Sequence, residues 1–165
     1  MNSQLITRLF VGLAVLAIGL ALASPTRLET LYTPTMVIVI HPSPKKLQII
    51  AALVGAVSAL AFLVFGRRSA HSMDNALGRL HFILLAVGVV SINLAAASVE
   101  RIARWKDNSY NPGVRLEGIR AFLLLPWPVR LLTIGLWSIE LACLVFAVNL
   151  GMTGLSWIHA ARSSG

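Results

Sequence analysis

A small set of polar side chains lies deep inside apolar stretches, and these residues are the best placed to do chemistry. Glu140 lies near the centre of "WSIELACLVFAVNL", Ser91 and Asn93 lie in "LGRLHFILLAVGVVSINLA", and Ser58 lies in the run that begins at Leu47. An ionised carboxylate at the centre of a bilayer costs several kcal/mol unless another group compensates it. Three interpretations of Glu140 follow: a proton relay or polar-ligand pocket, a structural clasp to Asn93 or a serine, and a contact with a partner subunit. The clasp is the simplest of the three.

The four histidines are candidate ligands for a haem or a metal ion, because neutral imidazole is a common ligand. His41 precedes the second apolar run, His81 heads the third, and His71 and His159 lie in a loop and in the tail. The second apolar run leads across the bilayer away from His41, and the third run begins with His81 at the opposite face. The two residues should therefore lie about 30 Å apart, which is the thickness of the hydrocarbon core. These two residues therefore cannot share one metal ion within a chain, and we expect no metal site and no cofactor. Haem b bound by His41 is the alternative, with His81 as a further candidate ligand.

The composition identifies the class of protein. Of the 165 residues, 57% are hydrophobic and 12% are charged, and the mean hydropathy is +0.80. A soluble domain of this length could not cover so much apolar surface with so few charges. A transmembrane helix needs roughly 20 apolar residues, and such segments occur at about 9–24, 47–65, 80–99 and 131–150. We predict an all-α polytopic membrane protein, with four transmembrane helices forming one up-down bundle over residues 1–165.

The first segment also has features of a signal peptide, namely Arg8 and the Ala21-Leu22-Ala23 pattern near its end. Because three further spans follow, we expect it to be a true helix. Cys143 is the only cysteine, so no disulfide can form within the chain. No nucleotide-binding loop, nucleophile–base set or pair of catalytic carboxylates is found, so the sequence does not indicate an enzyme.

The two long connections have different patterns. The first contains an apolar run, residues 36–40, that is too short to span a membrane and is expected at the surface or at the mouth of the bundle. The third, "NPGVRLEGIRAFLLLPWPVR", alternates charged with bulky apolar residues and predicts an interfacial amphipathic helix at about 114–125. Trp105, Trp127 and Trp157 fit the aromatic belt near lipid headgroups.

The net charge of +8 comes from basic residues at helix ends and in loops. This placement is typical of membrane anchors and topology signals, so lipids are expected partners and nucleic acid is not. The excess of Lys and Arg in the first and third loops favours termini outside the cytoplasm. The basic residues that could instead contact a partner or lipid phosphates are Arg101, Arg104, Lys106, Arg115 and Arg120.

Small residues recur at four-residue spacing on the first two helices. Ala51, Gly55 and Ala59 share one face, and Ala17 and Ala21 share another. Such stripes let membrane helices approach closely, and they serve packing within a chain as readily as between chains.

The stretch "FGRRSAHSMDNALGRLHFILLAVGVVSINLA" resembles the segment of haem-copper oxidase subunit I that joins two late helices. That family includes cytochrome c oxidase and the large subunit of nitric oxide reductase. The layout of residues 5–150 is similar to that of short four-helix proteins related to this subunit, with a last span that ends near "FAVNL". The matching residues are Gly66, Arg67, Leu77, Gly78, Arg79, Leu80, His81, Phe82 and Gly88.

The departure from that family concerns the haem ligands. In the family the second helix begins with a His-x-His motif, whereas here Ser43 stands where the second histidine would be, between two prolines. Ile83 also stands where the family has tryptophan. The resemblance thus implies a scaffold that has lost its haem site, with His81 as a helix-start contact and Asn93 in internal polar packing. It also implies cytoplasmic termini, against the charge distribution, and we follow the resemblance.

These observations together predict a non-catalytic integral membrane subunit or accessory protein of a larger respiratory or other electron-transfer complex, in the bacterial cytoplasmic membrane. Its expected partners are lipids and either other membrane subunits or further copies of itself. Two alternatives remain open: a b-type haem protein that uses His41, and a proton-coupled transporter or channel component centred on Glu140.

Overall fold

Four long helices make up most of the part of the chain that the structure describes. The computed structural model describes residues 3–23, 30–32, 37–39, 44–65, 73–108 and 126–163. The helices are α1 (Ser3–Ala23), α2 (Pro44–Phe65), α3 (Asn75–Asn108) and α4 (Pro126–Ser163). Each contains a stretch that is long and apolar enough to cross a membrane. Helices are the expected solution, because a chain in lipid must satisfy its backbone hydrogen bonds internally. The predicted all-α membrane fold with four spans is confirmed.

Two short strands lie in the connection between α1 and α2. Strand β1 (Thr30–Tyr32) pairs in antiparallel fashion with β2 (Val37–Val39), and Leu31 lies opposite Ile38. The apolar run at residues 36–40 therefore contributes a strand, as its β-branched valine and isoleucine residues favour. The interfacial helix predicted at 114–125 lies outside the described residues.

Helices α1 and α2 pack through small residues, as their four-residue spacing predicts. Ala17 and Ala51 are buried between the helices. A Cβ atom added to Gly55 would lie 3.3 Å from the Cβ of Ala14 and 3.5 Å from the carbonyl oxygen of Phe10. The missing side chain at Gly55 thus lets the two backbones approach closely.

Helices α3 and α4 cross at a pair of glycines. A Cβ atom on Gly88 would lie 3.1 Å from the carbonyl oxygen of Gly135, and a Cβ atom on Gly135 would lie 3.1 Å from that of Gly88. Ile92 and Ile139 fill the space on either side. This reciprocal contact brings the two helices together near the middle of the spans.

The last two helices are longer than the apolar segments predicted at 80–99 and 131–150. Helix α3 has 34 residues and α4 has 38. At about 1.5 Å per residue they are roughly 51 and 57 Å long, which exceeds the hydrocarbon thickness of about 30 Å. The segment predicted from hydropathy ended at residue 99 because residues 100–108 are mostly polar. In the structure these residues continue the helix. Both helices are therefore longer than the hydrocarbon core is thick.

Candidate functional site: polar groups inside the bundle

The imidazole of His81 joins three helices at the centre of a buried polar cluster. His81 is 1% exposed on α3. Its Nε2 lies 2.7 Å from the Oγ of Ser58 on α2, and its Nδ1 lies 2.7 Å from the carbonyl oxygen of Ala142 on α4. The Oγ of Ser58 also lies 2.6 Å from the carbonyl oxygen of Val54, one turn earlier. The sequence suggested a helix-start contact for His81, whereas the structure places it inside the bundle.

Aromatic rings enclose the imidazole on both sides. The ring of Phe10 on α1 lies 4.8 Å from that of His81, with 36° between the planes. The ring of Phe146 on α4 stacks on the other side at 5.3 Å and 29°. Phe10 is itself held by Phe62 and Phe82. All four helices therefore contribute to the surroundings of His81.

A second polar contact ties the start of α3 to α4. The Oδ1 of the buried Asn149 accepts a hydrogen bond from the backbone N–H of Asp74 at 2.9 Å, and its Nδ2 donates to the Asp74 carbonyl at 3.0 Å. The Asp74 carboxylate accepts from the N–H groups of Ala76 and Leu77 at 2.7 and 2.8 Å. Asp74 thus caps α3 in the way that aspartate is favoured to do. This pair was not among the residues predicted from the sequence.

Gln48 and Asn93 form a third contact toward the other end of the bundle. The Nε2 of Gln48 donates to the Oδ1 of Asn93 at 2.8 Å, and the Nδ2 of Asn93 donates to the Val89 carbonyl at 2.8 Å. The Oε1 of Gln48 is buried and has no hydrogen-bond partner in the part of the chain that the structure describes. Asn93 therefore takes part in packing between α2 and α3, and its partner Gln48 was not among the residues predicted from the sequence.

The carboxyl of Glu140 lies on the outside of the bundle. Glu140 is exposed on α4, and its neighbours Trp137 and Leu144 are 62% and 60% exposed. The proposed intrachain clasp to Asn93 or a serine is not what the structure shows, because Asn93 bonds to Gln48 and Ser58 contacts His81. A clasp would require Glu140 to point toward α3, and the turn of α4 points it away.

The depth of Glu140 follows from the contacts between α3 and α4. Asn149 marks the level at which α3 begins, since it binds the backbone of the cap residue Asp74. Glu140 precedes Asn149 by nine residues, or about 14 Å along the helix. Half of the hydrocarbon thickness is about 15 Å. Counted from the start of the apolar stretch of α3 at Asn75, Glu140 therefore lies about half a hydrocarbon thickness along the bundle.

The other candidate site residues predicted from the sequence lie in several parts of the chain. Ser91 is buried in α3, and His159 is exposed on α4. Arg101, Arg104 and Lys106 lie on the last part of α3, and their side chains are outside the description. The predicted residues that lie wholly outside the described ranges are His41, His71, Arg115 and Arg120.

The described part of the chain holds no group of three or more His, Cys, Asp or Glu side chains that could bind a metal ion. Its buried polar groups are engaged chiefly in contacts between helices. The arrangement can therefore hold the helices in register, and both ring nitrogens of His81 lie against protein atoms.

Comparison with known proteins gives no relative to this bundle. No protein-family model, curated protein or solved structure matches the chain. The resemblance of residues 66–88 to haem-copper oxidase subunit I therefore stays a prediction that rests on those residues alone.

Proposed function

We propose that this protein is a non-catalytic integral membrane subunit that assembles with other membrane proteins through the outer face of α4. The observation that carries the proposal is the position of Glu140, exposed on that face about 14 Å from the level of Asn149. Lipid tails offer neither a hydrogen-bond donor nor an acceptor. A carboxyl group facing them is costly even at the lower estimates for such groups. A partner helix that donates a hydrogen bond to the Glu140 carboxyl group removes this cost.

The rest of the outer α4 face suits close helix packing. This face consists of Glu140, Cys143, Ala147 and Gly151, which follow one another at spacings of three or four residues and are all exposed. A Cβ atom added to Gly151 would meet nothing within 4 Å. Small residues in such a row let a second transmembrane helix approach to backbone distance. The face therefore combines a surface for close approach with a polar group that needs a partner.

The chemistry of Glu140 limits what the partner can be. The partner must present a hydrogen-bond donor at mid-membrane depth, such as an amide, hydroxyl or basic side chain on another subunit. A second copy is the other source, since two neutral carboxyl groups can each donate to and accept from the other. The resemblance of residues 66–88 to an oxidase subunit is the ground for proposing a respiratory or electron-transfer assembly in a bacterial cytoplasmic membrane.

Two glycine variants test the proposal with a matched control. Gly151→Leu adds a bulky side chain to the outer α4 face, and Gly12→Leu adds the same side chain to α1. A Cβ atom at either position meets nothing within 4 Å among the described residues, so we expect neither variant to disturb the packing that the structure describes. The protein is purified from its native membrane in mild detergent, and its mass and co-purifying proteins are measured. We expect an assembly for the unmodified chain and for Gly12→Leu, and a monomer for Gly151→Leu.

Two results would overturn the proposal. One is a monomeric unmodified protein without co-purifying membrane proteins. The other is equal behaviour of the two glycine variants.

The variant Glu140→Gln distinguishes this proposal from the proton-coupled alternative, because glutamine keeps a hydrogen-bonding side chain of similar size. We expect assembly to survive that change, whereas a proton relay predicts an intact assembly that has lost its proton-linked activity.

A further inference from the structure

A row of exposed residues runs along most of α4, on the side that faces away from α3. Its positions follow one another at alternating spacings of three and four residues, and together they form the outer row: Trp137, Glu140, Leu144, Ala147, Gly151, Gly154 and Ile158. Gly135 and Ile139, on the opposite side of α4, pack against Gly88 of α3. A spacing of this kind keeps one stripe of a helix against a second long helix over many turns. The outer row therefore suits a helix from outside the chain.

The middle of the outer row has no side chain larger than a methyl group. Ala147, Gly151 and Gly154 occupy three successive positions, and a Cβ atom added to either glycine would meet nothing within 4 Å. At Gly135, by contrast, a Cβ atom would lie 2.7 Å from a side-chain atom of Ile92. Glycine weakens a helix relative to alanine. Because no contact among the described residues requires glycine at 151 or 154, these positions indicate a close approach from outside the chain.

Helix α4 also continues past the level at which α3 begins. Asn149 bonds to the backbone of Asp74, the cap residue of α3, and residues 150–163 of α4 follow. They form about 21 Å of helix. The last three positions of the outer row, Gly151, Gly154 and Ile158, belong to this part. A partner that follows the whole outer row must therefore be a helix about as long as α4.

A second copy of α4 meets these requirements. Two copies with the same orientation in a membrane are related by a twofold axis along the membrane normal, and twofold symmetry is the commonest in oligomers. Each residue beside the axis then faces the same residue of the other copy at the same depth. Glu140 thus faces Glu140, and two protonated carboxyl groups each donate to and accept from the other. The small residues also face one another, which lets the two backbones approach closely.

We propose that the partner at the outer α4 face is a second copy of this chain, bound through a parallel α4–α4 pair that crosses at Ala147, Gly151 and Gly154. The inference rests on the proposed assembly through this face, and it adds the identity and the direction of the partner helix. Leu144 and Ile158 pack on either side of the crossing. Each Glu140 carboxyl group receives its hydrogen bond from the same residue of the other copy.

Disulfide formation between single-cysteine chains tests the pair, in a background that carries Cys143→Ser. Leu144→Cys and Ile158→Cys place a thiol in the outer row, at positions that are 60% and 51% exposed. The controls are Ile134→Cys and Met152→Cys, which are 50% and 56% exposed and lie about a quarter of a turn around the helix from the outer row. A disulfide requires two Cα atoms within about 7 Å. A parallel pair brings only the outer-row positions that close.

Membranes that contain each variant are oxidised with copper phenanthroline and analysed without reduction. We expect a band at twice the monomer mass from the two outer-row positions, and no such band from the two controls. Adding Gly151→Leu to Ile158→Cys should abolish the band, whereas adding Gly12→Leu should keep it. Equal yields from outer-row and control positions, or no dimer from the outer row, would overturn the second-copy pair.

The same samples separate this inference from the proposed function. If the outer-row positions give no dimer but a different membrane protein co-purifies and is lost in Gly151→Leu, the second-copy pair is wrong and assembly through the outer α4 face stands. If the chain is a monomer and no membrane protein co-purifies, both are wrong.

Discussion

The hydrogen bonds between Asn149 and the backbone of Asp74 give a prediction whose size can be worked out. The amide of Asn149 makes two bonds, at 2.9 and 3.0 Å, to the residue that caps α3. The change Asn149→Leu removes both bonds and leaves a side chain with the same branched outline in the site. Hydrogen bonds between membrane helices contribute about 0.6 kcal/mol each on average. The expected loss is therefore about 1.2 kcal/mol, or roughly a sevenfold change in the unfolding equilibrium.

The assay for Asn149→Leu is unfolding of the purified protein in mixed micelles, followed by circular dichroism. Thr153→Val is the control, because it removes a hydrogen bond within the same helix, from the Thr153 hydroxyl to the Asn149 carbonyl. Asp74→Ala removes the side-chain cap and should cost about 1 kcal/mol. Because Asn149 is hydrogen-bonded to the backbone of Asp74, the effects of the two changes are not expected to add. Equal stability of Asn149→Leu and Thr153→Val would refute this reasoning.

Three further predictions concern other parts of the chain. Gly88→Leu should destabilise the bundle by about 1–3 kcal/mol through overpacking, whereas Gly12→Leu should not lower the unfolding midpoint, because a Cβ atom there meets nothing within 4 Å among the described residues. Asn93→Leu should cost about 0.6–1.7 kcal/mol in the same unfolding assay, and more than Gln48→Leu, because it leaves the Nε2 of buried Gln48 without its partner, whereas Gln48→Leu also removes the buried Oε1 that has no described partner. His41→Ala should change neither the absorbance spectrum nor the assembly of the purified protein, and loss of a haem spectrum in this variant would contradict that prediction.

The four spans were predictable from the sequence because bilayer thickness and backbone hydrogen bonding fix the length of an apolar helix. The ends of the helices were not. Polar residues at 100–108 continue α3 outside the apolar segment, where hydropathy carries no information about helix formation. Pairing of the residues at 30–32 and 37–39 also depends on a contact that a single apolar run does not reveal.

The polar contacts were only partly predictable, since hydropathy gives the depth of a residue and not its direction. Glu140 and Ser58 both lie well inside their spans, yet one faces outward and the other inward. Gln48 follows two lysines and has the pattern of a headgroup contact. A signal was nevertheless present: Gln48 lies three residues before Ala51 and seven before Gly55, on the face that packs against α1.

The distant partners of His81 could not be found from local pattern. Ser58 is 23 residues away and Ala142 is 61 residues away, so their meeting depends on how the helices cross. Asn149 lies 75 residues from Asp74 for the same reason. The cap at Asp74 itself had a local signal, because an aspartate directly before an apolar helix is a favoured N-cap.

The most direct test of the outer α4 face is photocrosslinking from Cys143 in native membranes. Cys143 is the only cysteine and is exposed beside Glu140, so a benzophenone maleimide attaches at one point on this face. The control is Cys143→Ser/Val57→Cys, which moves the label to a residue on α2 that is 55% exposed and adjacent to Ser58. We predict adducts with another membrane protein or a second copy from Cys143, and few or none from position 57. Equal yields from the two positions, or lipid adducts alone from Cys143, would contradict the proposed interface.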